Sequence, residues 1–321
     1  MIKKLLVGLA TTALVALTPA QAQDLKEITF GIISTESTQN LKSSWQPLLD
    51  DMAKKTGYKV NAFFAPDYAG IIEGMRFNKV QLAWYGNKSA MEAVDRANGE
   101  VFAQMVNADG TQGYYSHFVV HKDSPLKTLD DVLKSAKTLS FGNGDPNSTS
   151  GFLVPGYYVF AQNKIDPKTA FKVSRSANHE TNALAAANKQ VDVAVTNSET
   201  MDKIKERMPE KFKDLRIVWT SPLIPLDPLV MHKDLPAVTK QKLKDFFYAY
   251  GNGGQNEKDN LMKLSKLSGF KPSTNAQLVP IRQLELFRER NKFEADAALP
   301  PAEKQAKVAE IDRKLSELVK N

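Results

Sequence analysis

Cysteine is absent from this chain of 321 residues. Its absence excludes a disulfide framework, a thiol nucleophile and a thiolate metal site. Histidine is scarce, with four residues, and neither a histidine-rich nor a paired-carboxylate metal pattern occurs, so we expect no metal and no cofactor. The absence of cysteine does not indicate the cellular compartment, so the compartment has to be inferred from the N-terminus.

Long hydrophobic runs are also missing, and the one near the N-terminus, residues 5–17, is short. Lys3 and Lys4 precede it and the small-x-small sequence of residues 20–22 follows it, which is the pattern of an export signal. A retained membrane anchor is less favoured, because the run is short for a span and polar sequence comes after it. We predict a signal peptide over residues 1–22, cleaved near Ala22.

A basic surface for nucleic acid is missing too. The formal net charge is +7, but positive and negative residues are interleaved, as in segments 202–207 and 210–214. Such runs are usually the solvated faces of helices. Because no basic stripe with interleaved aromatic residues occurs, the sequence predicts no nucleic-acid partner.

Strand and helix patterns alternate along the rest of the chain, which is typical of an α/β fold with a mostly parallel sheet and helices on both faces. The predicted strands are 28–34, 58–64, 80–85, 101–106, 114–120, 138–141, 191–196, 215–220 and 229–232. The predicted helices are 39–55, 68–77, 89–97, 149–161, 181–188, 202–208 and 239–250, with two more in the tail.

About 300 mature residues predict two domains, because single cores usually stop growing near 250–300 residues. Two extended crossings, near 116–123 and near 227–232, predict a clamshell whose ligand lies between two lobes. We assign residues 23–117 and 232–280 to lobe 1 and residues 118–231 to lobe 2. Residues 281–321 are predicted to form a helical C-terminal tail.

The strongest local signal is the glycine-rich segment 142–151, which follows a predicted strand and ends in Ser148, Thr149 and Ser150 where a helix begins. The free N–H groups and the dipole of a first helical turn favour an anion, and hydroxyl groups add donors. The segment therefore predicts an anion cradle. Ser148 or Thr149 could equally serve as an ordinary helix N-cap, and this alternative stays open.

Two enzyme motifs are absent around this cradle. No lysine follows the glycines, which disfavours a nucleotide-binding P-loop. No Gly-x-Ser-x-Gly sequence occurs either, which disfavours a hydrolase with a cradle serine as nucleophile and His179 as base. Further along, Pro155 and Gly156 interrupt the helix that follows the cradle, and a kink or a short first segment is expected there.

Five other residues are candidate ligand contacts, each with a plainer interpretation. His179 precedes a probable helix start, where an imidazole can donate to an anion, although a lone histidine is more often a surface or core residue. Glu199 follows a strand, where open α/β sheets place ligands, or is a first-turn helix residue. Asp227 lies between two prolines and could be a turn residue. Tyr68 and Tyr114 could face a cation or be ordinary surface and strand aromatics.

With these features in place, the chain resembles the periplasmic phosphonate-binding proteins of phosphonate ABC importers. The segments that carry the resemblance are 30–37, 61–70, 83–87, 142–158, 179–184 and 221–225. The resemblance implies the type II periplasmic-binding-protein fold, a periplasmic location and an ABC permease in the inner membrane as partner. It also implies capture of a ligand like 2-aminoethylphosphonate, without catalysis.

The resemblance further implies a role for each candidate residue. The phosphonate would contact Ser148, Thr149, Ser150 and His179, and the ammonium would face Tyr68, Tyr114, Glu199 and Asp227. A receptor for inorganic phosphate or phosphite would need the cradle but no carboxylates placed for an ammonium, and it remains the alternative. A secreted phosphoester hydrolase is the weaker one.

The tail repeats apolar residues at heptad spacing, namely Val308, Ile311, Leu315 and Leu318. Two heptads are short for a coiled coil. The stripe predicts either a helix packed on its own lobe or contact with a second subunit in a homodimer, and the sequence does not separate these two arrangements.

Overall fold

The computed structural model describes residues 25–320. The predicted signal peptide and its cleavage site near Ala22 lie outside the described residues. No helix within residues 25–320 is long and apolar enough to cross a membrane.

A six-stranded sheet forms the first lobe, in the order β13-β4-β12-β3-β1-β2. Strands β1, β2 and β3 run parallel to one another, and β12 and β13 are antiparallel to their neighbours. The strands are β1 (Glu27–Ile32), β2 (Lys59–Phe64), β3 (Leu82–Trp84), β4 (Gly99–Asn107), β12 (Pro228–His232) and β13 (Leu267–Pro272).

A five-stranded sheet forms the second lobe, in the order β10-β6-β9-β7-β8. Strand β7 is parallel to β8 and β9, while β6 runs antiparallel between β9 and β10. The strands are β6 (Ser116–His121), β7 (Ser140–Asn143), β8 (Val173–Ser176), β9 (Val193–Asn197) and β10 (Leu215–Thr220).

The chain passes between the two sheets twice, and at both passages it forms a short strand. β5 (Gly113–Tyr114) and β11 (Ile224–Pro225) pair antiparallel with each other. The predicted crossings near 116–123 and 227–232 were therefore placed one strand too late, since β6 and β12 already belong to the two sheets. Residues 228–231, predicted in lobe 2, lie in the first sheet, whereas residues 116–117, predicted in lobe 1, lie in the second.

Helices pack against both sheets. The helices are α1 (Thr38–Thr56), α2 (Tyr68–Arg76), α3 (Asn87–Arg96), α4 (Leu129–Ser135), α5 (Pro167–Ala170), α6 (His179–Ala187), α7 (Ser198–Arg207), α8 (Pro209–Lys213), α9 (Ala237–Ala249), α10 (Gln255–Ser265), α11 (Val279–Ala295) and α12 (Pro301–Lys320). Short 3₁₀ turns lie at Ala136–Thr138 and Asn275–Leu278. Helices α4, α5, α8 and α10 and strands β8, β11 and β13 were not predicted.

The predicted helix 149–161 is present, but it is unusually wide over Thr149–Leu153 and Gly156–Ala161, where its hydrogen bonds span five residues. We call residues 149–161 the cradle helix. Pro155 explains the widening, because it has no N–H to offer the carbonyls of Ser150 and Gly151. The Ser116 hydroxyl donates to the Ser150 carbonyl at 2.6 Å, and the Gly144 N–H donates to the Gly151 carbonyl at 3.0 Å.

Each lobe has its own hydrophobic core. An aromatic cluster fills the core of the second lobe. Phe141 is stacked on Phe171 with 4.5 Å between ring centroids, and both rings pack near Phe160. The larger core of the first lobe also takes in Leu153 and Val154 of the cradle helix. The cradle helix is thus packed against both lobes.

The tail folds back on its own chain. Ile281 of α11 is buried with the first core, and Arg282 forms an ion pair with Asp95 of α3. Helix α12 packs on α11, with Arg290 donating to Asp312 at 2.8 Å. Within the apolar stripe of α12, Ile311 is buried, while Val308, Leu315 and Leu318 are half-buried.

Candidate ligand-binding site

One pocket between the lobes is lined by all eight predicted site residues. Strands β1 and β3 of the first sheet and β7 and β9 of the second end beside it, so the pocket occupies the carboxyl edge of both sheets, where α/β folds place ligands. The crossings contribute the rest, because Tyr114 belongs to β5 and Asp227 follows β11. The eight residues are Tyr68, Tyr114, Ser148, Thr149, Ser150, His179, Glu199 and Asp227.

The cradle forms one end of the pocket. Ser148, Thr149 and Ser150 are all buried, at 1–2% exposure. The Ser148 hydroxyl accepts the Gly151 N–H at 2.9 Å. Ser148 is therefore a helix N-cap, the simpler of the two roles considered for it. Capping uses only an acceptor position, and the hydroxyl proton remains available to an anion.

His179 lies behind the hydroxyl groups. Its Nε2 is 3.2 Å from the Ser148 Oγ and 3.3 Å from the Ser150 Oγ. Burial lowers the pKa of His179 to about 4, so the imidazole is neutral at pH 7. Its Nδ1 is buried without a hydrogen-bond partner among the described residues. A neutral imidazole there can donate one N–H toward the cradle without adding a fixed charge.

The first lobe reaches the cradle through Thr149. Its hydroxyl accepts the Lys88 N–H, from the first turn of α3, at 2.8 Å. Gly86 is the N-cap residue of α3, and a Cβ at this position would lie 3.2 Å from the Thr149 Oγ1 and 3.9 Å from Asp227. A glycine thus allows α3 to approach both ends of the pocket.

Asp227 marks the other end. Trp84 donates its indole N–H to one carboxylate oxygen at 3.0 Å, and Tyr114 donates its hydroxyl to the other at 3.2 Å. The carboxyl group is buried, and burial together with the nearby Glu199 raises the pKa of Asp227 well above its ordinary value. The two donors fix its orientation, but neither supplies a positive charge.

Glu199 completes this end, from the first turn of α7. Burial raises the pKa of Glu199, and the neighbouring Lys203 only partly offsets that effect. Among the described residues its carboxylate has neither a hydrogen-bond donor nor an ion-pair partner. Two carboxylates therefore share one buried pocket without a cation between them, a costly arrangement for the empty protein.

Tyr68 lies between the two ends. Tyr68 is the first residue of α2, and its backbone N–H donates to the Asp145 side chain in the glycine-rich segment 142–151 at 3.2 Å. Desolvation raises the pKa of the Tyr68 hydroxyl well above its ordinary value, and Asp145 adds to that effect. The neutral hydroxyl lies beside Ser148 and can act as donor or acceptor toward a ligand.

Comparisons with known proteins identify the family of the chain. A family model described as "ABC transporter, phosphonate, periplasmic substrate-binding protein" matches residues 30–278. The chain belongs to this family.

The chain is similar in sequence or in structure to three known phosphonate-related proteins. The "Phosphonates-binding periplasmic protein" of Escherichia coli (strain K12) is 57% identical over 320 residues, covering 98% of this chain and 94% of that protein. A binding protein component of an ABC phosphonate transporter from Pseudomonas aeruginosa superposes with a TM-score of 0.91 at 56% identity, covering 92% of this chain and 98% of that one. PhnD1 from Prochlorococcus marinus, solved with methylphosphonate, shares the fold at a TM-score of 0.73 and 22% identity, with 83% and 99% covered.

Membership decides several of the sequence predictions. The protein is a periplasmic, phosphonate-binding component of an ABC transporter, with the type II periplasmic-binding-protein fold. Proteins of the family are transport components and not enzymes, so the hydrolase alternative is wrong. The ligand role of each of the eight residues stays a prediction.

Sequence reasoning missed eight of the residues that line the pocket, and three of these contact a predicted site residue or carry a charge. Trp84, which holds Asp227, ends a strand that was predicted, and its position at a carboxyl edge was the available signal. Asn197 also ends a strand, and its side chain donates to the Ser150 Oγ at 3.3 Å. Lys203 lines the pocket one turn after Glu199 and had been interpreted as part of a solvated face.

Proposed function

We propose that the phosphonate captured by this protein is 2-aminoethylphosphonate or a close aminophosphonate. The phosphonate would contact Ser148, Thr149, Ser150 and His179, and the ammonium would lie between Glu199 and Asp227. The observation that carries this proposal is that Glu199 and Asp227 line one small pocket with the cradle, and that neither has an ion-pair partner among the described residues.

The cradle end suits a doubly charged anion. It offers hydroxyl groups, backbone N–H groups of a helix start and a neutral imidazole, each of which can donate to a phosphonate oxygen. Lysine contributes little there, because Lys203, which among the described residues is the one lysine that lines the pocket, is ion-paired with Glu36.

The carboxylate end suits an ammonium group. An incoming ammonium would neutralise Glu199 and Asp227 and remove the cost of burying two like charges. Tyr68 and Tyr114 line the same pocket, and their hydroxyl groups and rings are suitable neighbours for a cation. A short aminophosphonate carries both charges on one scaffold.

A receptor for inorganic phosphate or phosphite is the alternative. One relative, 30% identical over 230 residues, is named "Phosphate-import protein PhnD" in Mycolicibacterium smegmatis. An anion without an amine would leave the two carboxylates of this pocket unneutralised, which argues against that specificity here.

Calorimetry on the mature protein tests the assignment. We expect 2-aminoethylphosphonate to bind more tightly than methylphosphonate, phosphate and phosphite. Equal affinities for the aminated and the plain phosphonate would contradict the proposed role of the carboxylates, whereas binding of none of the four would contradict the wider assignment.

Export and processing belong to the same proposal. We infer that the signal is removed near Ala22 and that the mature protein delivers its ligand to a permease in the inner membrane. Intact-mass spectrometry of the protein recovered from the periplasm should give a chain that starts near Gln23. A chain retaining residues 1–22 would contradict the cleavage.

The tail is the proposed contact for a homodimer. Val308, Leu315 and Leu318 are only half-buried against α11 and leave apolar surface for a second copy. Truncation after Pro300 should then convert a dimer into a monomer in light scattering. Full-length protein that is already monomeric would refute this assembly.

A further inference from the structure

Lys203 of α7 occupies a position between two carboxylates on opposite lobes. Its Nζ lies 2.7 Å from the Glu36 Oε1, which belongs to the loop between β1 and α1 of the first lobe. Glu199 precedes it by four residues on the same helix, and both residues line the ligand pocket. Residues four apart on a helix are neighbours, and glutamate before lysine is the favourable order.

The charges in this region are unevenly distributed. Glu36 is 4% exposed and has two cations, Lys203 and Arg207, both from α7. Glu199 has none among the described residues, although the charge of Lys203 still acts on it. Lys203 is thus paired across the cleft with Glu36 and not with Glu199 of its own helix.

Opening the cleft would change this distribution. Glu36 would withdraw with the first lobe, whereas Lys203 and Glu199 would stay together on α7. The other carboxylates near Lys203 on that helix, Asp202 and Glu206, are about half-exposed and pair with Lys266 across the cleft. Asp202 is adjacent to Lys203 in the chain and does not face it, and Glu206 follows Lys203 in the less favourable order, so Glu199, four residues before Lys203, is the preferred partner.

We propose that Lys203 exchanges partners as the cleft closes, pairing with Glu199 when the lobes are apart and with Glu36 when they are together. This proposal rests on the proposed function, because the exchange frees Glu199 for the ammonium of the ligand. Glu36 is then a positioning residue that touches no ligand yet favours aminophosphonates over phosphonates without an amine.

Two substitutions should shift ligand preference in opposite directions. In Glu36→Gln, Lys203 has a weaker attraction across the cleft and stays on Glu199, so it competes with the ammonium. The preference for 2-aminoethylphosphonate over methylphosphonate should fall roughly fivefold to tenfold. In Lys203→Met no side chain competes with the ligand ammonium for Glu199. Methylphosphonate leaves Glu199 without any cation in the closed cleft, so the preference for 2-aminoethylphosphonate over methylphosphonate should rise by a similar factor.

Glu180→Gln is the matched control. Glu180 also crosses the cleft, accepting the Ser37 N–H at 2.9 Å and the Asn40 side chain at 2.8 Å, but no cation of the pocket is involved. It should weaken both ligands equally. If Glu36→Gln and Lys203→Met also weaken both ligands by one common factor, the contact is a simple latch and the exchange is refuted. Thermal melts verify that each variant is folded.

A second measurement needs no ligand. Carboxyl ¹³C titration of Glu199 in the ligand-free protein should show a higher apparent pKa in Lys203→Met than in wild type, and no change in Glu36→Gln. The other charges facing Glu199, Asp202 and Asp227, are common to all three proteins. An unchanged titration in Lys203→Met would overturn the exchange. Failure of wild type to bind any phosphonate would instead overturn the proposed function and leave this readout intact.

Discussion

The hydroxyl of Thr149 accepts the backbone N–H of Lys88 across the cleft, with 2.8 Å between nitrogen and oxygen. The contact joins the start of the cradle helix in one lobe to the start of α3 in the other. Because Lys88 belongs to the first lobe, the residue predicted to bind the anion also joins the two lobes.

Thr149→Val should therefore weaken every phosphonate. The valine is nearly the same size but leaves the buried Lys88 N–H unpaired and removes a donor from the anion, which together cost roughly tenfold or more in affinity. Thr149→Ser keeps the hydroxyl and should restore most of the binding. Calorimetry with 2-aminoethylphosphonate and methylphosphonate measures both variants. Wild-type affinity in the valine variant would exclude Thr149 from the site.

Ser148→Ala should lower stability as well as affinity. Its hydroxyl caps the cradle helix by accepting the Gly151 N–H, and removing such a cap costs about 1 kcal/mol. For a protein of this size the melting temperature should fall by roughly 2–4 °C. Ser148→Thr is the control, because threonine keeps a hydroxyl that can cap the helix. Equal melting temperatures in both variants would contradict the capping role.

The local features of this site were predictable from sequence, and the long-range ones were not. The cradle was predicted because a strand, a glycine turn and three hydroxyl residues are consecutive in the chain. The bond from Trp84 to Asp227 joins residues 143 positions apart and has no local signature. The crossings were misplaced because alternation continues through Tyr114 into β6, and the pattern alone does not show which sheet a strand joins.

The cradle helix also combines a local feature that the sequence predicts with a long-range one that it does not. Pro155 predicted that the helix would be interrupted. Whether the helix breaks or widens depends on whether other groups donate hydrogen bonds to the carbonyls of Ser150 and Gly151. Ser116 and Gly144 supply them from two other segments, and the helix widens instead of breaking. Only tertiary structure brings those donors there.

His179 should make the ligand-free protein sensitive to acid. Its pKa is about 4 in the folded protein and 6.5 in the unfolded chain. Between these values the unfolded chain binds a proton that the folded protein lacks, so the free energy of unfolding falls as pH drops from 6.5 toward 4. The slope approaches about 1.4 kcal/mol per pH unit.

Urea unfolding at pH 7 and pH 5 measures this effect. His179→Gln should reduce the dependence, to which the lowered pKa values of His117 and His232 also contribute. His117→Gln is the comparison variant, because His117 is also buried and its pKa is lowered, though it lies outside the pocket lining. An identical pH dependence in wild type and His179→Gln would show that His179 is not buried as a neutral imidazole.

Ligand should close the two lobes. The cross-cleft contacts include the ion pair of Lys203 with Glu36 and the bonds from Ser37 and Asn40 to Glu180. Proteins of this architecture close around ligands by hinge motion, and the paired strands β5 and β11 are the segments that would bend. Small-angle scattering should give a smaller radius of gyration at saturating ligand. An unchanged profile would indicate a rigid pocket.

The two carboxylates decide which phosphonate is preferred, and they differ in what surrounds them. Asp227 accepts from Trp84 and Tyr114, so Asp227→Asn also turns an amide NH₂ toward one of these donors. Glu199 has no such partners among residues 25–320, which makes Glu199→Gln the cleaner probe. Melting temperatures of both variants separate loss of fold from loss of recognition.

Removing either charge should weaken 2-aminoethylphosphonate by roughly 2–5 kcal/mol, the usual cost of truncating one partner of a buried charge pair. Methylphosphonate has no amine to lose a partner. It should be affected much less, or bind better, because one unneutralised carboxylate has gone from the closed pocket. The comparison between ligands is the decisive measurement. If Glu199→Gln and Asp227→Asn weaken both ligands equally while the proteins stay folded, the carboxylates do not recognise the ammonium, and the aminophosphonate preference has to be abandoned.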